Sequence, residues 1–190
     1  TVALCLALRT LAGADPEPAI AVAELCSTVE RRWVGANTGL LDQLAVLCCT
    51  EDHALRIDFR RLDLRQVPVP AGVMRFALFD SGEHRENAAS GYNQRRAECS
   101  RIADLLRVES LRDVTLHQAD ALPAPLDRRA LHVITENQRV EAMIDAMQRS
   151  DIVQVAAVLN ASHASLRDRY EVSTPCLLYT SDAADDLTRV

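Results

Sequence analysis

Asp42 is the residue whose type and position most readily suggest chemistry. It follows the turn-rich stretch VGANTG and falls in the first turn of a helix predicted to begin after an N-cap at Thr38. A carboxylate there is fixed by backbone N–H donors and favoured by the helix dipole. Both keep it ionised and oriented, the state in which it can take up a proton. The same residue serves equally well as a plain helix-start aspartate. Gly39, just upstream, is either a turn glycine or a place where backbone can approach a ligand with no Cβ in the way. Taken alone, Glu30 reads as a solvated helix glutamate, and Tyr92 as an aromatic on an apolar stripe. Cys48, Cys49 and His53 bring thiols and an imidazole together but lack the CxxC or HxxxH spacing of zinc sites. His163 reads as a satisfied core histidine, and Arg95, Arg96, Arg167 and Arg169 as solvated faces or structural ion pairs.

These residues must be held by a chain of 190 residues with 48% hydrophobic and 25% charged residues, an ordinary globular composition. A formal charge of -6 argues against nucleic acid, whose phosphates are bound by clustered cations. All 21 basic residues are arginine, so a GxxxxGK[ST] phosphate loop is excluded. No apolar run approaches the roughly 20 residues of a membrane span. The opening stretch has no basic segment before its apolar residues, as a signal peptide would. Six cysteines without CxxC pairing point to reduced thiols and a cytoplasmic location.

Apolar periodicity predicts a helix carrying Leu4, Leu8 and Leu11, and a second with Ile20, Ala23, Val29 and Trp33. A buried third helix, LLDQLAVLCC, follows the loop. Alternating stretches at 54–59, 64–69 and 73–80 read as strands. From Ser90 a helix presents Tyr92, Cys99, Ile102, Leu105 and Leu106 inward and Arg95, Arg96, Glu98 and Arg101 to water. A short turn at SLRDV precedes two long helices, one with Leu126, Ala130, Val133, Val140, Met143 and Met147, the other with Ile152, Val155, Leu159 and Leu166.

The stretch ERRWVGANTGLLDQ resembles the galactokinase motif in which a glutamate precedes VG, a short loop and G-hydrophobe-M-D-Q, with Leu41 here in place of methionine. The likeness continues in order through HALRIDFRRLDLRQVPVP, FALFDSGEHRENAASGYNQRRAEC, ESLRDV, RRALHVITENQRV and SHASLRDRYEVSTP, covering nearly all of 24–175. It implies an α+β fold of the GHMP kinase type. Residues 1–72 would be the end of the N-terminal domain, and 73–175 the helix-rich start of the C-terminal one. It also implies ATP-dependent phosphorylation of the anomeric hydroxyl of galactose, or of a related monosaccharide. By resemblance, Asp42 faces that hydroxyl as the catalytic carboxylate, Gly39 and Tyr92 contact the sugar, and Glu30 lies beside magnesium. Another GHMP sugar-1-kinase, acting on an amino sugar, a uronic acid or arabinose, is one alternative. A catalytically silent galactokinase-like sugar sensor is another.

Galactokinases also carry a GRxNLxGEHxDY segment that holds the sugar, a Gly/Ser-rich loop ending in LSSSA that cradles the phosphates, and a later ELD and GGGFGG. None occurs here, and the match stops abruptly at Cys176. The 190 residues therefore read as an internal fragment, with 176–190 as a non-native or disordered tail. Opening helices without sheet partners would expose apolar faces and promote aggregation. Loss of even one preorganised donor to developing charge costs about two to three orders of magnitude in rate. The expected outcome is that this polypeptide alone yields no galactose 1-phosphate in a coupled ATP assay; turnover near that of a complete galactokinase would overturn the fragment reading.

Overall fold

The computed structural model of the chain describes residues 1–35, 39–75, 77 and 91–174. It divides into two compact units, Thr1–Gly72 and Val73–Val190. The predicted N-cap Thr38, half of the predicted strand at 73–80 and the tail from Cys176 lie outside the described residues.

The first unit opens with α1 (Val2–Leu11) and α2 (Ala19–Val29). Arg9 holds the intervening GADPEP loop, donating to the Asp15 carbonyl at 2.7 Å and pairing with Glu17 at 3.2 Å. Val2, Val22 and Cys26 form the core, with Cys5 and Leu47 against it. Leu4, Leu8 and Leu11, which gave the helical spacing, are exposed, and the helix turns Val2 and Cys5 inward instead. The sequence VALCLAL is apolar around most of the helix, so periodicity alone cannot select the buried face. Val29 and Trp33 of the second predicted helix are likewise exposed.

Past α2 the chain continues through one π-helical turn, Glu30–Val34, and is redirected at Gly35, whose φ of 73° lies in the left-handed region that glycine enters without strain. Then comes α3 (Leu41–Cys48), which buries Gln43 and Leu44 but leaves Leu41 and Val46 exposed. The strands β1 (His53–Asp58) and β2 (Asp63–Pro68) pair antiparallel, with Ala54 opposite Val67 and Ile57 opposite Leu64. An isolated hairpin is marginal in water, and this one is tied to α3 because the Gln66 amide donates to the Cys48 carbonyl at 2.6 Å. The third predicted strand does not begin as one: 71–73 form a turn around Gly72, and Met74, Arg75 and Ala77 are irregular.

The second unit comprises α4 (Gly91–Leu106), a 3-10 turn (Leu111–Asp113), α5 (Leu116–Asp120), α6 (Leu126–Gln148), α7 (Ile152–Ser165) and a π-helical turn (Leu166–Tyr170). Ile102, Leu111, Val114, Ala119, Leu126 and Ala130 make its main core cluster. Caps set the short elements. Thr115 and Gln118 exchange bonds in a capping box at the start of α5, and the Asp151 carboxylate accepts from the Gln154 amide at 3.0 Å to open α7. No described helix is long and apolar enough to cross a membrane.

A charged network joins α4, α6 and the last π turn. Arg129 is 1% exposed. It donates to Glu98 at 2.9 Å, to Glu171 at 2.7 Å and to the Arg169 carbonyl. Arg95 pairs with Glu98 at 3.2 Å and donates to the Tyr170 carbonyl at 3.3 Å. Arg95 and Glu98 are thus corrections: rather than facing water they lie largely buried between helices, where each carboxylate compensates a guanidinium. Of the other arginines left to bland roles, Arg167 pairs with its neighbour Asp168 at 2.7 Å on the surface, and Arg96 and Arg169 are exposed. Beside the network, the buried His132 ring stacks on Tyr170 with centroids 4.3 Å apart, and its Nδ1 lies 2.9 Å from the Ser165 hydroxyl.

Removing one partner of a buried pair strands the other charge. Arg129→Ala should therefore cost about 3–5 kcal/mol of unfolding free energy. Arg128→Ala, whose pair with Glu171 is half-exposed, should cost about 0–1 kcal/mol. Urea unfolding checks both.

Acid should act on the same region. Burial foremost holds the His132 imidazole below its ordinary 6.5; Glu136 opposes this, and Arg139, Arg169 and Arg129 reinforce it. The hydrogen bond from Arg129 foremost holds the Glu171 carboxyl below its ordinary 4.5. With both values depressed, the unfolded chain binds more protons than the native one. The stabilisation from His132 is complete above 6.5 and from Glu171 above 4.5, and each is lost as the pH falls through the lower native value. Thermal unfolding on acidification should show a declining Tm below the first threshold and a steeper fall below the second, with His132→Phe flattening the first part.

Candidate functional site

The helix that carries Asp42 starts without a side-chain cap. Leu40, not Thr38, occupies the N-cap position, with φ −98° and ψ 5°, and supplies no side-chain cap to the first-turn amides. Those uncapped N–H groups leave the positive end of the helix dipole beside the exposed Asp42 carboxylate in the first turn. Leu40, Gln43, Leu44 and Leu47 share the inward face at helical spacing, which turns Asp42 to the other side.

Glu30 stands at the seam between α2 and its terminal π turn. Its Oε2 accepts a hydrogen bond of 2.7 Å from Nε2 of Gln43. The residue next to Asp42 thereby ties the end of α2 to the start of α3, and brings Glu30 and the Asp42 helix into one local arrangement. Gln43 is 3% exposed, and its Oε1 is buried with no hydrogen-bond partner among the described residues. Sequence reasoning gave this glutamine no role. The signal was there in a polar amide at i+3 from Leu40 and beside Leu44, inside an otherwise apolar helix face.

Gly39 is exposed, and a Cβ built on it would meet nothing within 4 Å. No steric contact in the described chain requires glycine there. Tyr92 lies in the first turn of α4 in the second unit, and its side chain lies outside the described residues.

The cysteine–histidine group is used locally. The Cys49 thiol donates to the His53 carbonyl at 3.1 Å, and His53 Nδ1 lies 2.7 Å from the Glu51 carbonyl, so both side chains serve the turn entering β1. Among the described residues no three His, Cys, Asp or Glu side chains gather to hold a metal. His163 departs from the satisfied core histidine of the sequence: its Nε2 is buried and has no hydrogen-bond partner among the described residues, because burial on α7 removes water from that edge without supplying an acceptor or donor there.

No protein-family model matches the chain. Among individual proteins, it is 40% identical over 175 residues to a galactokinase of Roseiflexus sp. (strain RS-1), covering 87% of this chain and 44% of that protein. It is 38% identical over 171 residues to a galactokinase of Streptomyces coelicolor, covering 86% and 44%. Against the galactokinase of Thermotoga maritima the identity is 34% over 156 residues, covering 82% and 45%. Among solved structures, the Lactococcus lactis galactokinase complexed with galactose superposes with a TM-score of 0.78 at 28% identity, over 93% of this chain and 47% of that one. The chain spans a little under half the length of these relatives. Over the stretch they share, its sequence, its order of motifs and its backbone match those of galactokinases, with the GHMP kinase fold.

Proposed function

We propose that this chain serves in a galactokinase, which transfers the terminal phosphoryl group of ATP to the anomeric hydroxyl of galactose in the cytoplasm. In that reading Thr1–Gly72 is the end of the N-terminal domain, and Val73–Val190 holds the start of the C-terminal one, through residue 175. The observation that carries it is the pairing of a first-turn Asp42 with a neighbouring Gln43 bonded to Glu30, in a chain 40% identical to a galactokinase.

The chemistry assigns each residue a task. As the anomeric oxygen forms its bond to phosphorus and the bond to the ADP oxygen breaks, the hydroxyl proton goes to the Asp42 carboxylate, which the helix N-terminus keeps oriented. Gly39 lets backbone approach the sugar, which fits a position where nothing in the described chain requires the absence of a side chain. Tyr92 contacts the sugar hydroxyls. Glu30 presents a hard carboxylate oxygen of the kind magnesium takes, and kinase magnesium is held by one or two carboxylates together with substrate phosphates, so a single glutamate is a sufficient protein share. Magnesium bound there with ATP supplies charge neutralisation on the phosphates.

In the full-length enzyme, Asp42→Ala should lower kcat by about 10²–10⁴-fold, the range for loss of a positioned proton acceptor, while galactose affinity measured by calorimetry changes far less. Turnover near wild type would remove Asp42 from the mechanism. A sugar panel in which galactose is a poor substrate and another monosaccharide a good one would move the assignment to another sugar-1-kinase. Binding of galactose and ATP without turnover in the wild type would favour a sensor.

A further inference from the structure

We infer that Gln43 is a positioning residue: its buried amide fixes the direction of the Glu30 carboxylate relative to the helix that carries Asp42, and so couples the two carboxylates of the site. The inference rests on the roles proposed above for Glu30 and Asp42. No sugar contact by Gln43 is involved.

The amide has only one workable orientation. A carboxylate accepts hydrogen bonds and donates none, so the amide NH₂ must face Glu30, as it does at 2.7 Å, and the flipped rotamer would set oxygen against oxygen. The carbonyl end is then committed to a buried position without a hydrogen-bond partner among the described residues. For stability alone this is a poor use of the site. Gln43 lies on the same inward face as Leu44, where an apolar side chain of similar size would pack with no acceptor left unmet. The bond to Glu30 is what the amide provides and an apolar residue would not.

Two further features fit this role. Glu30 opens a π-helical turn, where the regular α-helical ladder gives way, so its side chain gains direction from a partner on another helix. The partner is also neutral. An arginine or lysine in its place would add a cation beside a carboxylate proposed to face magnesium, whereas an amide orients the carboxylate without adding charge.

The test is a double-mutant cycle in the full-length enzyme, using Gln43→Leu, Gln43→Met, Glu30→Ala and the corresponding doubles. Mn²⁺ binding in the presence of a non-hydrolysable ATP analogue is read by electron paramagnetic resonance, alongside kcat, galactose KM and Tm. Each Gln43 variant should weaken Mn²⁺ binding about tenfold, as loss of partners that orient metal ligands does. It should also lower kcat, leave galactose KM within about twofold and have no further effect once Glu30 is alanine. Equal effects in both backgrounds, or normal Mn²⁺ binding in both Gln43 variants while Glu30→Ala weakens it, overturn the positioning role alone. Unchanged Mn²⁺ binding in Glu30→Ala overturns the metal-side reading of Glu30 and the inference with it. Retention of Mn²⁺ binding by Gln43→Met is decisive even if Gln43→Leu proves unstable.

Discussion

A polar group taken out of water must find its partners inside the protein, and this constraint organises both units. In the second it takes its most demanding form. The Arg129 guanidinium is buried, and its donors reach Glu98 on α4, Glu171 after the last π turn and the Arg169 carbonyl within that turn. Those separations in sequence mean that α4, α6 and the 165–172 stretch are fixed together by the need to satisfy one cation. The left-handed backbone at Glu171, φ 54°, is explicable in the same terms, since the conformation delivers its carboxylate to Arg128 and Arg129. His132, stacked on Tyr170 and set against Ser165, is the neutral neighbour of this charged centre.

The first unit meets the constraint only in part, with a neutral group whose NH₂ is satisfied and whose carbonyl is not. Gln43 reaches across from α3 to Glu30, and the hydrogen bond closes the helix–loop–helix that carries Asp42. The two solutions differ in what they leave behind. In the second unit each carboxylate is spent on guanidinium groups, which suits a framework. In the first, a carboxylate accepts from a neutral amide, and Asp42 beside that amide stands exposed in the first turn of α3.

How much of this could be read beforehand depends on how local the cause is. The strands at 53–58 and 63–68 follow from alternation and a turn, and the long helices from sustained periodicity, all of which act over a few residues. The buried face of α1 was not legible, because a helix apolar almost all round is oriented by its neighbours and not by its own pattern. Arg95 and Glu98 were misplaced for the opposite reason. Charged residues are assigned to water unless partners are known, and theirs are Arg129 and Glu171, far along the chain. At the site, Asp42 in a first helical turn was legible locally, whereas the Gln43–Glu30 bond spans a loop and required the fold. The roles proposed for Asp42, Gly39, Tyr92 and Glu30 come from resemblance, since residue type and spacing alone left each with an ordinary structural explanation.

The charged network also bears on how related chains can vary. Positions 95, 98, 129 and 171 are not independent under substitution, because a neutral residue at any one leaves an uncompensated charge at another. A change accepted at one of them therefore demands changes at the rest, and the apolar alternative is open only as a set. Related sequences should accordingly exchange the whole constellation or keep it, so that YNQRRAEC, RRALHVITENQRV and SLRDRYEVS behave as a single unit of inheritance although they lie apart in the chain.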